Sequence, residues 1–184
     1  MNEMARQVLH MIFGALLILM GLAVGREPLI SFLGVLLFLG FVFVQLKLNG
    51  FKNGFAEHLL DQFDRNEKLP ARGGLAYVAG TLFLVSAVDL NFALGVIAIL
   101  AFGDGFATLI GMSGKHKLPI NKRKTWEGTL AFALVSIAAS MYFLGPANAV
   151  LYSVVFAIIE AVDLKVDDNL LIPFAGVILK TLLK

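Results

Sequence analysis

The chain has 184 residues, 59% of them hydrophobic and only 15% charged, with 16 Phe and a mean hydropathy of +0.85. That balance lies well outside soluble averages, and the length suits a single membrane-embedded domain over 1–184, one compact helical bundle with no second domain. The absence of Cys excludes disulfides, thiolate metal sites and cysteine nucleophiles; the net charge of +2 says little as a total, and nucleic acid is not expected as a partner.

The pattern predicts an all-α fold, a polytopic helical membrane bundle of about seven spans, each near the ~20 residues that cross the hydrocarbon. The first lies near 7–25, and its apolar run reaches Val24 with no small-residue cleavage pattern, so it reads as a span rather than a cleaved signal. Arg6 and His10, four apart, share one face of it. Gly21 and Gly25 form one small-xxx-small pair that suits close helix packing and leaves a homodimer open. A second span follows near 28–48. Acids and bases then alternate around Phe55, Leu59, Leu60 and Phe63, which reads as an amphipathic helix on the membrane surface from Phe51 to Arg72, with His58 on its exposed side. Spans three and four fall near 73–88 and 90–112.

The fourth span carries Asp104 between Gly103 and Gly105. A charge at membrane depth costs roughly 3 kcal/mol on insertion scales, so an intramembrane carboxylate is a functional-site candidate. On a straight helix it would lie roughly 13 Å from the following loop. Its two glycines fit either a close ligand or close helix packing. The loop itself holds Lys115, His116, Lys117, Lys122, Arg123 and Lys124. It is not a P-loop, because Leu109 stands where the first Gly belongs and His116 follows Lys115. By charge alone it fits a solvated loop touching anionic lipid. Thr125 and Glu127 change that reading: a helix start with free N–H groups, a hydroxyl and a carboxylate suits phosphate and Mg²⁺ together.

Spans five to seven fall near 128–144, 147–164 and 169–183. Around the junction of the last two lie Glu160, Asp163, Asp167, Asp168 and Asn169, with Lys165 among them. Four carboxylates there invite a divalent cation, with a helix cap at Asp168-Asn169 as the plainer explanation. Alternate connections hold twelve of the fifteen basic residues. The positive-inside rule therefore puts the N-terminus and every polar cluster on the cytoplasmic side, where nucleotides are found.

Gly103-Asp104, Gly111, Gly114-Lys115-His116-Lys117 and Lys124-Thr125-x-Glu127-Gly128-Thr129 resemble the CTP-using membrane enzymes. These are the dolichol (polyprenol), phytol and CTP-dependent diacylglycerol kinases, and the related phosphatidate cytidylyltransferases. Arg6-x-x-x-His10 is similar to the kinases' Arg-Lys-x-x-His element, with Gln7 in place of Lys. Phe63-Asp64-Arg65 through Pro70 and Gly73-Gly74 resembles, loosely, the loop before their third span. The stretch Glu160 to Pro173 resembles the close of phytol-kinase-like proteins. No Lys-Arg run follows Glu127, and the chain has Asp167-Asp168-Asn169 where the cytidylyltransferases close on Asp-Arg or Asp-Gln, which favours the kinase branch.

The resemblance implies transfer of the γ-phosphoryl of CTP to a lipid alcohol, dolichol or polyprenol first, with Mg²⁺ as cofactor. It implies Asp104, Asp168, Lys124 and Glu127 as catalytic, and Asp104, Glu127, Asp167 and Asp168 at the metal. Arg6, His10, Lys115, His116, Lys117, Lys124 and Thr125 would bind nucleotide. Membrane lipid is then the surroundings, in the cell membrane or, in a eukaryote, the endoplasmic reticulum. A lipid cytidylyltransferase is the alternative, and a small transporter or scaffold the remote one.

Overall fold

The computed structural model describes residues 3–50, 71–162 and 164–183. Seven helices run through them: α1 (Glu3–Val24), α2 (Arg26–Leu48), α3 (Arg72–Ala87), α4 (Leu90–Gly111), α5 (Trp126–Leu144), α6 (Pro146–Ala161) and α7 (Asp168–Leu182). Four of them, α1, α2, α4 and α5, are long and apolar enough to cross a membrane, while α3 and α6 are shorter apolar helices. The expected surface helix before Arg72, with His58 and the loose resemblance at 63–70, lies outside the described residues apart from Ala71 and Arg72.

Local chemistry sets the boundaries. Gly25 and Gly145 sit at φ 83° and 76°, a region favouring glycine, and turn the chain between α1 and α2 and between α5 and α6. Pro146 then opens α6 where no backbone N–H is needed. Asp89, Thr125 and Asp167 cap α4, α5 and α7 by accepting N–H bonds from Phe92 (3.0 Å), Gly128 (3.1 Å) and Asn169 (3.1 Å).

The outer helices wrap α4. Two thirds of it (67%) is buried, against 28% for α1, 17% for α2 and 28% for α5. Its first half, from Phe92 to Ala101, is sealed among Leu17, Leu33, Leu84, Val85, Phe132, Phe156 and Ile172. The outer faces stay apolar: Phe38, Phe41, Leu134, Ile158 and Phe174 are all more than half exposed. A soluble protein would not leave so much apolar surface in water, whereas a bilayer is the solvent such a surface fits. The bundle is a helical membrane fold.

Two ends follow from this packing. At one, Arg26 donates to the carbonyls of Val85 (2.8 Å) and Ser86, and Lys180 pairs with Asp89 at 3.4 Å. At the other end lie the start of α1, the end of α4, the 112–125 loop and the start of α7, with the titratable clusters.

Candidate active site at one end of the bundle

Asp104 owes its position to an irregularity. Residues Ile99–Asp104 form a π-helical segment inside α4, and Gly105–Gly111 resumes the α register. Short π segments re-aim side chains and recur at functional sites. The helix is therefore not the regular rod from which a depth of roughly 13 Å follows. The flanking glycines are there for packing. A Cβ on Gly103 would lie 2.1 Å from Ser136 Oγ, and one on Gly105 would lie 2.6 Å from Met11 Cγ. Asp104 itself makes no hydrogen bond or ion pair among the described residues and faces a cavity of about 1180 Å³.

The basic loop is folded. Residues 116–118 pair with 124–126: Leu118 N–H donates to the Lys124 carbonyl (3.0 Å), Trp126 N–H donates to the His116 carbonyl (2.9 Å), and Lys117 and Thr125 form an antiparallel bridge. Asn121 closes the turn by accepting from Arg123 N–H at 3.1 Å, and Leu118 is buried beneath it. Glu127 clasps the loop to α5. Its carboxylate accepts from the backbone N–H of Lys115 (3.0 Å) and His116 (3.2 Å) and meets His116 Nδ1 at 2.7 Å. Gly128 lets α5 approach α4, since a Cβ there would sit 2.8 Å from the Ala107 carbonyl.

This hairpin points Lys117, Arg123, Lys124 and Thr125 at the cavity, while Lys115, His116 and Glu127 lie off its wall. Lys124 reaches further. Its ammonium contacts Glu160, which is 2% exposed on α6, and lies 3.5 Å from Asp168 on α7. Burial lowers its pKa, but Glu160 and Asp168 outweigh that, and the result is raised. Lys117 and Arg123 form no ion pair among the described residues, so on the cavity wall they are loop cations available to an anion.

The acidic cluster is therefore balanced by Lys124, not only by Lys165. Asp163 lies outside the described residues. Asp167 is the N-cap of α7, one residue before the pair expected to cap it, which leaves Asp168 for Lys124. Gly80 on α3 seats this corner, because a Cβ there would lie 2.1 Å from the Asn169 carbonyl. From α1, Arg6, held by Glu3, and His10, whose ring meets Tyr77 edge-on at 4.5 Å, complete the wall.

Eight of the eleven sequence-predicted site residues thus share one cavity: Arg6, His10, Asp104, Lys117, Lys124, Thr125, Asp167 and Asp168. Arg123, Thr129 and Glu160 join them there. Glu160 carried a signal, a carboxylate in an apolar run. Thr129 carried none beyond its place in the resemblance, yet its Oγ1 is buried without a partner. No three His, Asp or Glu side chains among the described residues gather tightly enough to enclose a metal by themselves. The donors nonetheless suit Mg²⁺, which takes one or two carboxylates and completes its shell with water and phosphate oxygens. Asp104 makes no ion pair among the described residues and shares the cavity wall with Asp167 and Asp168, beside Glu160, whose buried Oε2 has no hydrogen-bond partner among them.

The chain is 31% identical over 177 residues to the uncharacterized protein MJ1137 of Methanocaldococcus jannaschii, covering 95% of this chain and 90% of that one. It belongs to that protein's family. It is also related to proteins named for a kinase activity. A probable chloroplastic phytol kinase 2 of Glycine max is 30% identical over 132 residues, covering 61% of this chain and 45% of that protein. The phytol kinase of Synechocystis sp. is 37% identical over 78 residues, or 35% of this chain and 34% of that one. The matches span less than half the length of these two curated kinases. No protein-family model and no solved structure matches the chain.

Proposed function

We propose that this protein is a membrane kinase that moves the γ-phosphoryl group of CTP to the hydroxyl of a long-chain isoprenoid alcohol, dolichol, polyprenol or a phytol-like chain, at the cytoplasmic face. One observation carries the reading. A single cavity is lined both by carboxylates and cations and by apolar side chains of α1, α2 and α3. The relationship to proteins named phytol kinase supports it, as does the resemblance of 102–130 to CTP-using enzymes.

Phosphoryl transfer needs positioning and charge neutralisation more than covalent help from the protein. Lys117 and Arg123 hold the triphosphate from the hairpin, with Arg6 and His10 opposite them on α1. Lys124, fixed by Glu160 and Asp168, presents a charge of constant position. Thr125, Gly128 and Thr129 bring the start of α5 to the cavity, where the helix dipole favours an anion. Asp104 orients the attacking hydroxyl. Asp104 and Asp168, with Asp167 beside them, would hold Mg²⁺, which when bound neutralises phosphate charge. Lys115, His116 and Glu127 act on the shape of the hairpin.

The test supplies the protein in vesicles with an isoprenoid alcohol and CTP labelled at the α or the γ phosphate. The γ label is expected in the lipid, with CDP released. Pyrophosphate release with α label in the lipid would replace the kinase by a cytidylyltransferase.

A further inference from the structure

The cavity does not end at its polar groups. It continues past Leu9 and Phe13 of α1 to Leu36, Leu39, Gly40 and Phe43 of α2. Because α1 and α2 are antiparallel about the turn at Gly25, depth along each can be counted from that residue. Leu9 and Phe13 lie sixteen and twelve residues before it; Leu36 and Phe43 lie eleven and eighteen after it. Phe13 matches Leu36 in depth and Leu9 lies near the level of Phe43, so both helices line the same gap over the half of the hairpin remote from Gly25. From Phe43 to Leu36 this gap runs roughly 10 Å along the helix at about 1.5 Å per residue. Leu39 is 55% exposed while also lining the cavity, so the gap opens sideways onto the apolar outer surface of the bundle. On the α3 side Leu75 packs on the backbone of Gly40, where a Cβ would lie 2.7 Å from its Cδ2.

We infer that this slot between α1 and α2 is the lateral entrance and seat of the acceptor alcohol, with the hydroxyl at Asp104 and the first part of its chain between Phe13, Leu36, Leu39 and Phe43. The inference deepens the kinase reading and rests on it. A water-soluble acceptor has no reason to use a route opening at membrane depth, and a hydrocarbon chain there exchanges one apolar environment for another. Chain beyond the slot stays among lipid tails and gains nothing from the protein. Specificity therefore belongs to the segment nearest the hydroxyl, and alcohols differing only far from it are used alike.

The experiment uses the full chain in phosphatidylcholine vesicles with phytol, and separately a hexadecanol analogue carrying a photoreactive diazirine near the hydroxyl. Label is expected on peptides containing Leu9 to Phe13 and Leu36 to Phe43, and excess phytol should suppress it. Leu36→Trp, at the inner end, should raise the KM for phytol about tenfold and reduce the label, with binding of a nonhydrolysable CTP analogue unchanged. Leu39→Trp, at a half-exposed position that tolerates bulk, should do the same more weakly and guards against misfolding of the first variant. Label confined to outer positions such as Leu134, or unchanged KM in both variants, would overturn the slot. Failure of the unaltered protein to phosphorylate any alcohol would instead remove the kinase reading, and the labelling pattern would still decide where the alcohol binds.

Discussion

Lys124 and Glu160 show what a membrane boundary demands of a charge. Glu160 is almost sealed and has an unpartnered Oε2, so its ionised form depends on the ammonium reaching it from the hairpin. Removing one partner of a buried pair leaves an uncompensated charge and costs about 3 kcal/mol, whereas replacing both is often near neutral. Lys124→Met should therefore lower the detergent melting temperature markedly, and Lys124→Met with Glu160→Gln should recover most of it. Equal losses in the single and double variants would mean that the pair is not a unit. The raised Lys124 pKa sets the sign with pH: its stabilising contribution is complete below the unfolded value of about 10.4 and fades only as pH climbs through the raised folded value. Asp104 is the opposite case, a carboxylate with no ion-pair partner among the described residues. Asp104→Asn is expected to leave melting unchanged or improved, since preorganised charge sites are often destabilising, while turnover falls by orders of magnitude. Wild-type turnover in the purified variant would take Asp104 out of the mechanism.

At the scale of elements, the seven described helices were legible because apolar runs, four of them of membrane length, are interrupted by Arg26-Glu27-Pro28, Asp89, Gly145-Pro146 and Asp167-Asp168. Each break is a cap, a turn or a charge with a local physical cause. What was not legible depends on contacts between distant segments. Nothing in Ile99 to Asp104 announces a π register; the packing of Gly103 on Ser136 and of Gly105 on Met11 accompanies it. The hairpin at 116–126 was hidden for the same reason, because its pairing joins residues whose composition reads as plain basic loop. Glu127 looked like a ligand by its place at a helix start, and it faces the loop backbone instead. The Gly103 contact can be tested. Gly103→Ala should destabilise by about 1–3 kcal/mol through overpacking, and adding Ser136→Gly, which removes the obstructing Oγ, should restore much of the loss. Destabilisation that Ser136→Gly leaves untouched would place the need for Gly103 in its backbone instead.

For the whole molecule, the distribution of charge and the packing agree on two unlike ends. Arg26 and the Asp89–Lys180 pair lie at one; Arg6, Asp104, Lys117, Lys124, Glu160 and Asp168 line the cavity at the other. In the sequence, alternate connections hold twelve of the fifteen basic residues, and the described ones among them lie toward the cavity end, so the positive-inside rule predicts that this end faces the cytoplasm, where CTP is available. The natural absence of Cys makes the prediction clean. A cysteine at Lys122, exposed at the tip of the hairpin, should react with a membrane-impermeant maleimide only after the cytoplasmic face is opened. One at Ala147, exposed in the first turn of α6 at the opposite end, should react in intact cells. Asn121 would be a poor choice for the first probe, because it is 8% exposed and its side chain closes the hairpin turn. Labelling of position 122 from outside intact cells would reverse the bundle, and a kinase drawing on cytoplasmic nucleotide would then have its cavity on the wrong side of the membrane.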